Sequence, residues 1–367
     1  MYGDKILELI NKTVDRLDLE IDENPPFKIP ERTLVILPKF IGDIILLTPL
    51  IRNLRYNFGN KAAIDLVCAD STKNILETLP YVDNIFSTDI DIKNKIDFLR
   101  EKNYDAVFLF NFPVLWAWAC VEAKIPQRVG FSLERIGCSN FPLWQNLLTH
   151  VVKSTPIKDK SPQWKVYLDI LKTLGLNNYD NHTEIVLTKD DKKKAKGILK
   201  QINSKKPKIL IQVIAGSHGK QLELSKWITI LKHIKKNIDC TVIATGTEQE
   251  KEIYEYLSAN SDIKICNLCG KTTIREAIAL YKYLDLVITL DTSISHLAGV
   301  AGVKNIIIIY GPTNEAQWQP YAPNSNIYQI YLNLPCRPCI TRVCSHKKCL
   351  VKLRPEKIIN AIDKITL

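Results

Sequence analysis

The chain has 367 residues, with 50 basic against 39 acidic side chains and a formal net charge of +11. Hydrophobic residues make up 46% and charged residues 24%, which excludes collagen-like and low-complexity disordered chains and allows ordinary apolar cores. The longest apolar stretch, Leu34 to Ile51, is broken by Lys39 and Asp43, so no transmembrane helix is expected. Asp4, Glu8, Asp15 and Asp18 make the N-terminus too acidic for a signal peptide. The expectation is a soluble intracellular protein of two domains. Its basic charge asks for a polyanionic partner, whether nucleic acid, an anionic membrane surface or a phosphorylated substrate, and charge alone does not choose among these.

Residues 1–32 read as a helical appendage, with Ile6, Ile10, Leu17 and Ile21 at roughly helical spacing and a break at Asn24-Pro25-Pro26. The main fold opens with the β-branched run Thr33 to Leu37, in the manner of a buried parallel strand. A helix from Ile44 to Phe58 follows, then a strand at Ala62 to Cys68 and a helix at Thr72 to Leu79. A short strand at Asn84 to Ser87, a helix at Lys93 to Lys102 and a strand at Asp105 to Phe110 complete this series. The segment from Phe131 to Thr183 is poorer in strands and carries one amphipathic helix, Trp164 to Leu174, closed by Gly175. A lysine-rich helix, Asp190 to Ile202, leads into a second series. Its strands are Lys208 to Val213, Cys240 to Ala244, Ile263 to Cys266, Leu284 to Thr289 and Asn305 to Tyr310. Its helices lie around Ser225 to Asn237, Gln249 to Ala259, Ile274 to Tyr281 and Ser293 to Ala301. Strands alternating with helices predict two doubly wound α/β domains in tandem, with ligands at the carboxyl ends of the strands. The predicted boundaries are 33–180 and 181–335, with a Cys-rich loop and C-terminal helix over 336–367.

Five places carry candidate chemistry. Asp43 follows the first strand in Gly42-Asp43. It reads either as an N-cap of the next helix or as a general base that takes a proton from an attacking hydroxyl. Asp291-Thr292-Ser293-Ile294-Ser295-His296 starts a helix directly after a buried strand. Its first-turn N–H groups and dipole make an anion site, to which Thr292 and Ser293 add hydroxyls. His296 lies one turn in, either as a satisfied helical histidine or within reach of a phosphate. Ala215 to Lys220 is a loop of small residues in which Ser217 and Lys220 suit a phosphate, although the Gly-Lys-Ser/Thr ending of a Walker loop is missing. Glu248, after the next strand, reads as a ribose contact or a surface turn residue. Cys336, Cys339, Cys344 and Cys349 crowd one basic segment that opens with C-x-x-C. Zinc or iron ligation, a reversible disulfide and unligated thiols all fit this spacing. The other six cysteines read as small buried hydrophobes.

Taken in order, several of these stretches resemble glycosyltransferase family 9, the ADP-heptose:lipopolysaccharide heptosyltransferases. Leu37 to Pro49 is similar to the family's opening Gly-Asp and Thr-Pro motif, and Ile125 to Phe131 to its IPxRxGF segment. Asn267 to Thr272 resembles its NLxGKT stretch. Asp291 to Ala298 with Tyr310 to Thr313 resembles its D-x-G-x-x-H-L-A and F-G-P-T pair. The likeness covers residue 33 to the C-terminus. It implies a GT-B fold, two Rossmann-like domains facing a cleft, and an inverting transfer that needs no cofactor for catalysis. It further implies Asp43 as base, Lys220 and the helix at Asp291 as holders of the donor pyrophosphate, and Glu248 as the ribose contact.

The implied donor is ADP-heptose, and the implied acceptor is a phosphorylated lipid A–Kdo core at the inner leaflet. A cytoplasmic enzyme, peripheral on the membrane, is the corresponding expectation. Three departures stand out: Ser293 replaces the family's Gly, Gln221-Leu222-Glu223 replaces its Trp-Pro, and its common His is absent near Ser161 to Trp164. Alternatives in the same class are a protein (autotransporter) heptosyltransferase with a metal-bound Cys loop, and a GT-B nucleotide-sugar epimerase. A nucleic-acid module is disfavoured, because basic residues are spread along the chain and no RRM, KH or zinc-finger pattern appears. Oligomeric state is left open.

Overall fold

The computed structural model describes residues 4–15, 24–88, 91–111, 113–132, 143–153, 161–202, 205–339 and 344–367. The chain divides into two units, Met1–Thr183 and Glu184–Leu367. In the first, α1 (Asp4–Asp15) precedes β1 (Arg32–Ile36), α2 (Ile41–Phe58), β2 (Ala63–Cys68), α3 (Asp70–Leu76), β3 (Asn84–Ser87) and α4 (Ile92–Lys102). Then come β4 (Ala106–Leu109), α5 (Val114–Glu122), β5 (Gln127–Phe131), α6 (Leu143–Asn146), β6 (His150–Val152) and α7 (Gln163–Thr173). All six strands run parallel in the order β3-β2-β1-β4-β5-β6. This is the doubly wound order whose switch point lies between β1 and β4.

The second unit repeats that plan. It contains α8 (Lys189–Ile202), β7 (Lys208–Gln212), α9 (Leu224–Asn237), β8 (Thr241–Ala244), α10 (Lys251–Ser261), β9 (Ile265–Asn267) and α11 (Ile274–Tyr281). β10 (Leu286–Leu290), α12 (Ser293–Ala301), β11 (Asn305–Ile309), β12 (Asn326–Ile330), α13 (Lys348–Val351) and α14 (Pro355–Ile362) follow. Its parallel sheet reads β12-β11-β10-β7-β8-β9, with the switch point between β7 and β10. Strands buried on both faces need near-continuous apolar runs, and β10 and β11 are buried at every residue.

Several elements departed from the expectation. α5, absent from the predicted elements, is apolar nearly all round, so no 3.6-residue pattern marks it. β5, also absent from the predicted elements, begins with the polar Gln127 and Arg128. Both are buried because Arg128 donates to the Leu147 and Ile125 carbonyls at 2.7 Å, and Gln127 bonds the Lys28 backbone. The first helix is not a free appendage: Ile10 is buried in the first core, and Trp118 Nε1 donates to Thr13 Oγ1 at 2.9 Å. The C-terminal segment belongs to the second core through Leu350, Leu353, Ile358 and Ile362.

α2 is the helix that matters for the site. Pro49 lies inside it and cannot supply the N–H that Ile45 O would normally accept. The Thr48 hydroxyl donates to that same carbonyl at 2.8 Å instead, so the buried oxygen keeps a partner. Arg52 and Asn53 then hold the end of the first unit against α2. Arg52 Nη2 meets the His182 carbonyl at 2.6 Å and Asp180 Oδ2 at 3.0 Å, and Asn53 Nδ2 meets the Asp180 carbonyl at 2.6 Å.

Candidate functional site

Each unit presents its chemistry just beyond the carboxyl end of its first strand. In the first, α2 starts at Ile41 with Phe40 as its N-cap, and Phe40 offers no capping side chain. Asp43 therefore stands in the first turn and is not the cap. Its carboxylate is 7% exposed and accepts a hydrogen bond from Tyr167 Oη at 2.8 Å. α7 packs on α2, and Phe110 holds the Tyr167 ring edge-on at 5.5 Å between centroids. A buried carboxylate fixed by a phenol at the switch point is placed to accept a proton.

In the second unit the loops after β7 and β10 meet. Lys220 Nζ donates to Asp291 Oδ2 at 2.8 Å and to the Asp291 carbonyl at 3.2 Å. An ammonium has three donors, so one N–H of this partly exposed lysine is left for a ligand. Thr313 Oγ1 donates to the same Asp291 oxygen. The aspartate thus faces its neighbours and does not point its charge at the helix that follows. Thr292, not Asp291, is the N-cap of α12, accepting from Ile294 N. Thr292 and Ser293 stay half-buried at this N-terminus, where the helix dipole favours an anion.

His296 is 4% exposed, and its Nδ1 has no hydrogen-bond partner among the described residues. Burial drives its imidazole down to about 4; Lys220 pushes the same way and Asp291 opposes. The ring is therefore neutral near pH 7. A buried polar atom without a partner is uncommon, and here it lies beside the cation and the helix start.

Ser217 is exposed and begins the single 3₁₀ turn that carries Lys220. Gln221 shapes that loop. Its Oε1 accepts from Ala215 N at 3.0 Å, and its Nε2 donates to the Val213 carbonyl. Glu248 is exposed and pairs with Lys251 at 3.5 Å. Its carboxylate lies against Gly270, whose φ of +73° and lack of a Cβ permit the approach.

Two residues that sequence reading did not place are central here. Tyr167 is one. Arg337, which in sequence is one of several basic residues among the clustered cysteines, is the other. Its Nε donates to the Gly311 carbonyl at 2.6 Å, its Nη1 to Leu332 at 3.0 Å and its Nη2 to Thr313 at 2.8 Å. It also pairs with Glu315 at 3.1 Å and stacks on Tyr331. One guanidinium thus fixes the segment from which Thr313 reaches Asp291.

The proposed metal set does not assemble in the structure. Among the described residues no three His, Cys, Asp or Glu side chains stand together to hold a metal ion. Cys349 is buried in the second core, Cys339 Sγ donates to the Cys336 carbonyl at 3.2 Å, and Cys344 Sγ accepts from Lys347 N. Burial pushes the Cys339 and Cys349 thiols up.

The sequence model of glycosyltransferase family 9 (heptosyltransferase) matches residues 95–350. The chain belongs to this family. Among relatives, lipooligosaccharide heptosyltransferase 2 of Campylobacter jejuni is 34% identical over 153 residues, 40% of this chain and 48% of that protein. The chain thus aligns with about half the length of that relative. Lipopolysaccharide heptosyltransferase 3 of Escherichia coli K12 is 26% identical over 346 residues, 89% of this chain and 96% of that protein. In three dimensions the chain is similar to a family 9 glycosyltransferase of Veillonella parvula, with a TM-score of 0.73, 18% identity, and 92% and 98% of the two chains covered. It is also similar to E. coli ADP-heptose LPS heptosyltransferase II, with a TM-score of 0.66, 19% identity, and 90% and 97% covered. At these identities the likeness is one of fold, and that fold is the GT-B pair of Rossmann-like units. Among the described residues no helix is long and apolar enough to cross a membrane.

Proposed function

We propose that this family 9 chain transfers a heptose from ADP-heptose to a hydroxyl of a lipopolysaccharide core acceptor, the lipid A–Kdo region at the inner membrane leaflet. In this reading the acceptor oxygen attacks the anomeric carbon and a new C–O bond forms as the bond to the β-phosphate breaks. The acceptor proton passes to Asp43 and ADP leaves with the bonding pair. Lys220 gives its third N–H to the departing diphosphate while Asp291, held by Thr313, keeps the ammonium in place. The first turn of α12, with Thr292 and Ser293, accepts the remaining phosphate charge. His296, neutral and with its Nδ1 unpartnered, supplies one more polar contact. Ser217 adds a hydroxyl, and Glu248 holds the ribose. No metal takes part in these steps.

The observation that carries the reading is the Lys220–Asp291–Thr313 cluster at the start of α12, built across the β7/β10 switch point. The names of the relatives support the sugar and the acceptor. The test incubates the protein with ADP-heptose and a heptose-deficient core lipid and follows ADP release and acceptor mass. An acceptor gaining one heptose, lost in Asp43→Asn, is the expected result. ADP-heptose turned over with no acceptor modified would overturn transfer, and modification of a protein but not the lipid would move the acceptor to the alternative within the class.

A further inference from the structure

α8 (Lys189–Ile202) has two opposed faces. Asp191, Ala195 and Ile198 are buried, and the helix packs on α11. Lys189, Lys192, Lys193, Lys194, Lys196 and Lys200 are exposed. At 3.6 residues per turn, five of these six fall within about 100° of arc, directly away from the buried side; Lys194 flanks them. Neutralisation within the fold is slight. The second acid of the helix, Asp191, is buried against Arg275 at 3.2 Å and bonded to Thr188. Asp190 is the one exposed acid of α8, and none of the six lysines has an ion-pair partner among the described residues.

Beside this stripe lies a cavity of about 770 Å³. Lys193 and Lys194 of α8 line it together with Lys271, Ile198 and Leu268. Two acids also line it, Asp190 and Glu276, and Glu276 is engaged in capping Thr273 N at 2.9 Å.

We infer that the lysine stripe of α8 docks the second unit on an anionic phospholipid surface. Lysines are compact, hydrated point charges that suit diffuse attraction to a charged sheet better than bidentate recognition of one partner. A run of four to eight basic residues on an amphipathic helix is what anionic lipid selects. The helix has no aromatic residue on which a nucleic-acid base could stack, which disfavours single-stranded RNA. The inference rests on the reading of a membrane-borne acceptor, but its test needs neither donor nor acceptor.

The test is co-sedimentation of the full chain with vesicles of phosphatidylcholine alone or with one-third phosphatidylglycerol. Each lysine held near such a surface contributes about fivefold. Lys192→Glu/Lys193→Glu/Lys196→Glu should therefore lower the partition onto phosphatidylglycerol vesicles about a hundredfold or more. The arginine triple variant at those positions should retain it, and half-molar salt should abolish it. Lys232→Glu/Lys235→Glu/Lys236→Glu, all exposed on α9, serves as the charge-matched control and should bind nearly as well as the parent. An unchanged melting temperature in the triple variant excludes misfolding as the cause. Equal sedimentation with both lipids, an equal loss in the α9 control, or tighter binding of a single-stranded RNA that the triple variant also loses would each overturn the proposal. A chain that binds vesicles but transfers no heptose would leave it standing and overturn only the activity.

Discussion

Lys220 Nζ and Asp291 Oδ2 stand 2.8 Å apart, and the two residues come from loops after different strands of one sheet. The aspartate is almost fully buried, whereas the lysine side chain is 28% exposed. Removing the lysine leaves a buried carboxylate with only a threonine hydroxyl and its own surroundings. Lys220→Ala should lower stability by about 1–3 kcal/mol, the cost of stranding a partly screened charge. The same variant should weaken ADP at least about tenfold, since a charge-assisted bond to phosphate is lost. Thermal unfolding with and without ADP reads both effects at once. An unaltered response to ADP would remove Lys220 from the nucleotide site.

On the proposed mechanism Asp43 is the base and Tyr167, bonded to it at 2.8 Å, the group that positions it. Asp43→Asn keeps the shape but cannot take a proton, so kcat should fall about 10²- to 10⁴-fold with ADP binding preserved. Tyr167→Phe removes one hydrogen bond and leaves the carboxylate, so a fall nearer tenfold is expected. Steady-state kinetics of both variants, with ADP affinity measured alongside, separates the two roles.

Arg337 should behave as a scaffold for the donor side. Its loss leaves three carbonyls and Glu315 without their shared donor. Arg337→Ala should cost about 2–4 kcal/mol and raise donor KM more than it lowers kcat. Arg337→Lys should not restore the parent, because an ammonium cannot span the planar fork. Full rescue by lysine would show that only the charge matters.

Acid should weaken this fold through its buried histidines. His296 lies at about 4, and His150 is also lowered, with burial the leading cause for both. Once unfolded, these rings return to about 6.5 and bind protons that the native state refuses. Stability contributed by the neutral rings is complete above that value and is lost as pH falls toward 4. Melting temperature should therefore drop between pH 6.5 and 4.5, and His296→Asn should flatten the slope. An identical slope in that variant would place the titration elsewhere.

How much of this was legible in the sequence depends on where the information sits. α11, α12 and β3 match their predicted bounds residue for residue. Thr273 and Thr292 cap the two helices locally, and β3 ends in polar turns. The start of α12 directly after β10 followed from the same local logic. The Asp43 contact did not, because Tyr167 stands 124 positions away and no spacing rule links the two. Arg337 is similar: three hydrogen bonds to a segment 22 to 26 residues upstream look in sequence like one basic residue among several. β6 and β12 were missed for another reason. One has three residues, and the other, an edge strand, is only half-buried, so neither shows a sustained apolar run.

The two sheets share one strand order, yet the segment after the leading strand carries a buried acid in one and a lysine in the other. On the proposed mechanism the fold is used twice with its polarity reversed, once to collect a proton and once to hold negative charge. Because each group is anchored by its own sheet, substitutions could retune acceptor activation without disturbing donor affinity, and the reverse. A family built this way can change the hydroxyl it glycosylates while keeping its nucleotide, by altering half of its chain.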